Sequence, residues 1–167
     1  MRIDCIGGLL LFPFLIVLGC KRIKNDEFYN EIASANYDHF RGKSLFIRGV
    51  ARGNSIVFLW DYSESYNPCA SIIFTADQKN YKILDSKVLK YEDTCKLIIT
   101  ISDPLLVQSF LKLNLTRLMV KNNGNIYIST SSPDHFDMIK ILADDDTAFN
   151  YKNWRKLDSH WFVKNEE

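Results

Sequence analysis

Glycine, proline and histidine are scarce in this chain. Its 167 residues include seven Gly, four Pro and three His. Gly7, Gly8 and Gly19 all fall in the first twenty positions, so few remain to build a loop that cradles phosphate. The patterns GxxxxGK[ST], GxGxxG and GxSxG do not occur. His39, His135 and His160 have no second His, Cys or acid at helical metal-ligand spacing, and HExxH is missing. No metal, no cofactor and no catalytic residue is therefore expected. An excess of charge is lacking too: 21 Lys and Arg face 20 Asp and Glu, for a net charge of +1. That balance argues against a nucleic-acid partner. Ile6–Leu18 is an uncharged run of thirteen residues interrupted by Pro13. A helix that crosses a bilayer needs about 20 apolar residues. No internal repeat, low-complexity segment or interdomain linker appears.

What is present suits one domain with a substantial core: 47% hydrophobic and 25% charged residues. The start of the chain has its own pattern. Met1-Arg2 supplies positive charge, the apolar run follows, and Gly19 leaves little bulk before Cys20. Such a run has the length of a secretory signal core. Val17-Leu18-Gly19-Cys20 resembles the lipobox of bacterial lipoproteins, in which a small residue precedes a cysteine. Leu18 departs from the small residue usual two positions before that cysteine, and Asp4 is unusual in the charged region. The resemblance covers residues 1–20 only. It implies that the Cys20 thiol takes a diacylglyceryl group, that cleavage follows Gly19, and that the new α-amine is acylated with a chain such as palmitate. The alternative is a plain signal peptide or a short N-terminal anchor. The expected organisation is a signal peptide at 1–19, a lipidated cysteine and tether at 20–25, and a globular domain at 26–167. Two or three acyl chains hold stably where one does not. Lys21, Arg22 and Lys24 would lie at the headgroups. The residue after the cysteine is Lys21 rather than Asp. By the same resemblance, this favours the outer over the inner membrane.

Four cysteines occur, at 5, 20, 69 and 95. Processing removes Cys5 and lipidation uses Cys20. Cys69 and Cys95 then form a disulfide candidate in an oxidising compartment, and closing that loop would stabilise the fold by roughly 3–4 kcal/mol. The alternative is two separate buried thiols.

Along the mature chain, apolar positions at three-to-four spacing predict a helix over 26–40. The strand-like runs that follow are SLFIRGVA, SIVFLWDY, ASIIFTA, YKIL, KVLKY and KLIITIS. Their short separations favour antiparallel hairpins. SDPLLVQSFLKLNL predicts a helix with Asp103 as a cap, Pro104 in the first turn and an apolar face of Leu106, Val107, Phe110, Leu111 and Leu113. RLMVKNNGNIYIST predicts a hairpin, with Asn123-Gly124 as its two-residue turn. FDMIKIL is readable as helix or strand. TAFNYKNWRKL reads as a short helix and HWFVK as a closing strand. The expected class is α+β: a mainly antiparallel curved sheet with two to four packing helices in a single domain.

One stretch suggests recognition. WDYSESYNP places Trp60, Tyr62 and Tyr66 among Asp61 and Glu64, and aromatic faces beside acids can stack a sugar or catch a peptide. Paired carboxylates also serve glycosidases. The plainer reading has the aromatics on the core and the acids in water. Asp144, Asp145 and Asp146 lack the spacing, glycine and terminal Glu of a calcium loop, and Asn114-Leu115-Thr116 is a formal glycosylation sequon at a predicted helix end. The expected function is that of a small non-catalytic cell-envelope lipoprotein. It would be membrane-tethered through Cys20 and bind another envelope protein, a glycan or a secreted component. The alternatives are a periplasmic-side hydrolase with a site assembled from distant residues, or a small-ligand carrier.

Overall fold

Alternating apolar side chains build most of this molecule. The computed structural model describes residues 26–51, 54–61, 70–91, 99–142 and 151–165. Nine strands pair throughout in antiparallel fashion, in the spatial order β4-β3-β2-β1-β5-β6-β7-β9-β8. They are β1 (Lys43–Ala51), β2 (Asn54–Asp61), β3 (Ala70–Asp77), β4 (Lys82–Lys90), β5 (Arg117–Val120), β6 (Ile126–Ser129), β7 (Met138–Lys140), β8 (Trp154–Lys156) and β9 (Trp161–Lys164). The sheet does not close among the described residues. Helix α1 (Asp26–Ala33) precedes it, and α2 (Asp103–Lys112) lies between β4 and β5. The fold is therefore a single, sheet-rich, mainly-β domain. The expected antiparallel sheet and single domain are found, and two α-helices lie within the two to four expected; the class is corrected from α+β to mainly-β, with two single 3-10 turns besides among the described residues.

Each correction has a local cause. The helix predicted over 26–40 stops at Ala33, and a 3-10 turn follows at Asp38–Phe40. Between them the Tyr37 hydroxyl donates to the Ile32 carbonyl (2.8 Å), which closes the helix end with a side chain. Asp103 does not cap α2. Its buried carboxylate instead accepts the Thr100 N–H (2.7 Å), ahead of the helix. YKIL and KVLKY merge into the single strand β4, while residues 99–102 of KLIITIS are not strand. FDMIKIL resolves as β7. In TAFNYKNWRKL the described part is a 3-10 turn at Tyr151–Asn153 followed by β8, since Trp154, Arg155 and Lys156 find backbone partners in β9. At the β5–β6 hairpin the loop holds three residues, 122–124. Lys121 and Asn125 close it, and only Gly124 is left-handed there (φ 90°). The two-residue turn expected there needs a second positive φ, at Asn123.

One face of the sheet carries the core. A row crosses all nine strands on that face: Val88, Ile72, Leu59, Leu45, Leu118, Ile128, Met138, Val163 and Arg155. Val107, Phe110 and Leu111 of α2 and Tyr29 and Ile32 of α1 belong to the same buried cluster. The predicted apolar face of α2 is confirmed, with Leu113 only partly buried. Asn114, at φ 54°, ends that helix. On the far strand, Arg155 pairs with Asp26, so the start of α1 lies at the β8 edge.

Ser55 lies on this core face opposite Ala76, fully buried, and its hydroxyl makes no hydrogen bond. A buried unmatched hydroxyl costs about 1–3 kcal/mol. Ser55→Ala is therefore expected to stabilise the fold, raising the thermal midpoint by roughly 2–4 °C in a scanning measurement. A lowered midpoint would show that the hydroxyl is used.

Candidate functional site

The second face of the sheet is where the chain departs from a simple half-buried sheet. Strands exposed on one side alternate apolar with polar residues. Here many of the residues facing away from the helices are also apolar. Cross-strand pairing places Ile73, Phe58 and Phe46 in one row, with Arg117 at its end. A second row runs through Trp60, Ser44, Met119, Tyr127, Ile139 and Phe162. Phe58, Met119 and Ile139 are buried, while Phe46, Trp60, Ile73, Tyr127 and Phe162 are half-buried.

The geometry is tightest at β1 and β2. Phe46 stacks on Phe58 with ring centres 5.1 Å apart and planes at 20°, and meets Trp60 at 4.7 Å and 59°. The Arg48 guanidinium lies over the Phe58 ring at 5.6 Å. Such ring pairs and cation contacts each contribute about 0.5–1.5 kcal/mol beyond burial. Ser44 stands opposite Trp60, and both the Ser44 hydroxyl and the Trp60 indole N–H are buried without a hydrogen bond. Further along, the loop before β7 folds onto the face. Phe136 meets Tyr127 at 5.4 Å, and Arg117 lies over Phe136 at 4.6 Å while donating to the Pro133 carbonyl (3.1 Å). Lys121 caps the Tyr127 ring at 5.1 Å. The result is an aromatic surface with cations along it.

Asp137 anchors that loop. This buried carboxylate accepts the Thr130 N–H and hydroxyl (3.2 and 2.7 Å) and the Ser131 hydroxyl (3.4 Å). Ser129 donates to the His135 carbonyl. Groups with shifted ionisation lie elsewhere. Burial pushes the Tyr37 hydroxyl well above its ordinary value. At Asp158 burial raises the pKa, but hydrogen bonds from the His160 and Trp161 N–H groups outweigh it and hold the carboxyl below its ordinary value. The Asn80 amide lowers Asp77 in the β3–β4 turn. Both acids complete turns.

Of the residues singled out at 60–66, the structure places Trp60 on this face, and Asp61 ends β2 beside it. Tyr62, Glu64 and Tyr66 lie outside the described residues, as do Cys20, Cys69, Cys95, the tether at 20–25 and residues 144–146. Sequence reading missed Phe46, Phe58, Arg48, Met119 and Tyr127. Its available signal was the absence of polar alternation in SLFIRGVA and SIVFLWDY, which marks strands covered on both faces. His39, His135 and His160 stand on three separate segments. Among the described residues no group of three His, Cys, Asp or Glu could hold a metal ion, and no helix is long and apolar enough to cross a membrane. Comparison with protein-family models, with curated proteins and with solved structures finds no match to the chain.

Proposed function

We propose that the protein is a small non-catalytic lipoprotein of the cell envelope, tethered through acylated Cys20, whose sheet face opposite α1 and α2 binds another envelope or secreted component. The observation that carries the binding role is the contiguous Phe46–Phe58–Trp60 cluster with Arg48 along it. Stacked rings offer flat apolar area at low entropic cost, and the guanidinium adds attraction for acidic or hydroxyl-rich groups. A glycan or an extended peptide segment is the chemistry that fits. The tether is consistent with an orientation. From Cys20 to Asp26 the chain spans roughly 20 Å at most, and Asp26 pairs with Arg155. The β8 edge would then sit nearest the lipid.

Two experiments test the parts separately. Mass spectrometry of native protein should find an acylated N-terminus at Cys20, and an unprocessed chain beginning at Met1 would end the lipoprotein reading. For the binding face, a photoreactive phenylalanine replaces Phe46 in one variant and the exposed Leu105 of α2 in another. Cross-linked adducts in intact cells should form from position 46 and not from 105. Equal adducts from both, or none from 46, would remove the face from the proposal.

A further inference from the structure

Among the described residues the sheet ends in a strand, β4, whose outer edge carries a charge pattern that matches itself. Among the described residues β4 pairs with β3 alone. It is nine residues long, and it exposes Leu84 (50%) and Leu89 (39%), with Tyr91 (54%) just beyond. The Ser86 N–H is not spent on β3. It donates to the carboxylate of Asp85, its own neighbour, at 2.8 Å. In an antiparallel ladder the N–H and C=O of one residue face the same side and successive residues alternate. The backbone groups of Ser86, Val88 and Lys90 therefore face the open edge.

We propose that this edge pairs with β4 of a second copy of the chain, antiparallel about a two-fold axis through Ser86, so that two sheets join into one. Charge selects Ser86 over either of its neighbours as the centre. A two-fold axis that keeps both sheet faces continuous must pass through one residue and its symmetry mate. Centred on Asp85 it sets two carboxylates against each other, and centred on Lys87 it sets two ammonium groups against each other. Centred on Ser86 it brings Asp85 opposite the second copy's Lys87 twice, once on each side of the axis. Directly opposed charges of unlike sign stabilise a strand pair, and like signs destabilise it. Asp85 leaves the Ser86 N–H for Lys87 of the second copy, and the two Ser86 residues exchange backbone hydrogen bonds. Lysines and the bulge at Leu84, the extra β4 residue between the Thr75–Asp85 and Ala76–Ile83 pairs, blunt the edge against other strands, whereas Asp85 and Lys87 select this one. The isologous contact closes on itself and builds no fibre.

The test uses the full chain in detergent micelles under mild oxidation, with covalent dimer read against the unsubstituted chain. In a backbone hydrogen-bonded pair the two Cα atoms lie about 5.5 Å apart, within disulfide reach. Ser86→Cys should therefore give a covalent dimer well above background. Adding Asp85→Lys or Lys87→Asp opposes like charges and should lower the yield about tenfold, and adding both should restore it to within about twofold. No dimer from Ser86→Cys, a yield that the single swaps leave unchanged, or a double swap that fails to restore it would each overturn the proposal.

Discussion

Phe74→Ala is expected to destabilise the protein by about 3–5 kcal/mol, a large part of the stability of a domain this size. Phe74 is fully buried at mid-β3, with Val57 and Ser86 opposite it on the two neighbouring strands. It belongs to the cluster that α1 and α2 cover. Truncation removes the ring's transfer energy and leaves a cavity between strands that cannot collapse without breaking their pairing. Urea unfolding followed by circular dichroism measures the loss. The informative comparison is Phe46→Ala on the opposite face. Phe46 is half-buried, so its removal should cost about 1–2 kcal/mol from lost ring contacts and partial burial. Equal losses at the two positions would mean that the aromatic face is as enclosed as the core, and the proposed binding role would then have no surface to act through.

Asp137→Ala is expected to cost about 3 kcal/mol, because removing one buried carboxylate strands the Thr130 N–H, the Thr130 hydroxyl and the Ser131 hydroxyl together. Asp137→Asn keeps one acceptor oxygen and should lose roughly half as much. The same denaturation measurement separates them, and identical losses would argue that charge rather than acceptor count holds the loop. The substitution reaches the candidate surface as well. With the loop released, Phe136 leaves Tyr127 and Arg117, and the Tyr127 ring resonances should shift in a proton spectrum. An unchanged Tyr127 environment would show that the loop is held by its apolar contacts instead.

The readable parts of this protein were those encoded by neighbours in sequence. Apolar spacing in 103–113 marked α2, because a helix places residues three and four apart on one side whatever it packs against. Runs of Ile, Val and Phe marked β1 to β3 for the corresponding two-residue reason. Asn123-Gly124 located the β5–β6 turn, although its length was decided by Lys121 and Asn125 closing the loop. Met138–Lys140 stayed open between helix and strand, and Trp154–Lys156 read as helix. A three-residue strand has no period to detect, and these became strands only because β6 and β9 offered unpaired backbone.

The candidate surface divides in the same way. From Trp60 alone, sequence spacing placed an aromatic residue at a strand end, and it went no further. Phe46 and Phe58 are twelve residues apart and meet because β1 and β2 pair in a register that sets one against the other. Arg117 joins their row from beyond α2, through pairing with β1. Local pattern settled which segments become helix or strand and which residue types each carries, since those depend on near neighbours. Tertiary pairing alone decided the mainly-β class, the second apolar face and the place of β4 at the end of the sheet among the described residues. Strand order and register are set by contacts between residues far apart in the chain, and no local window of the sequence contains them.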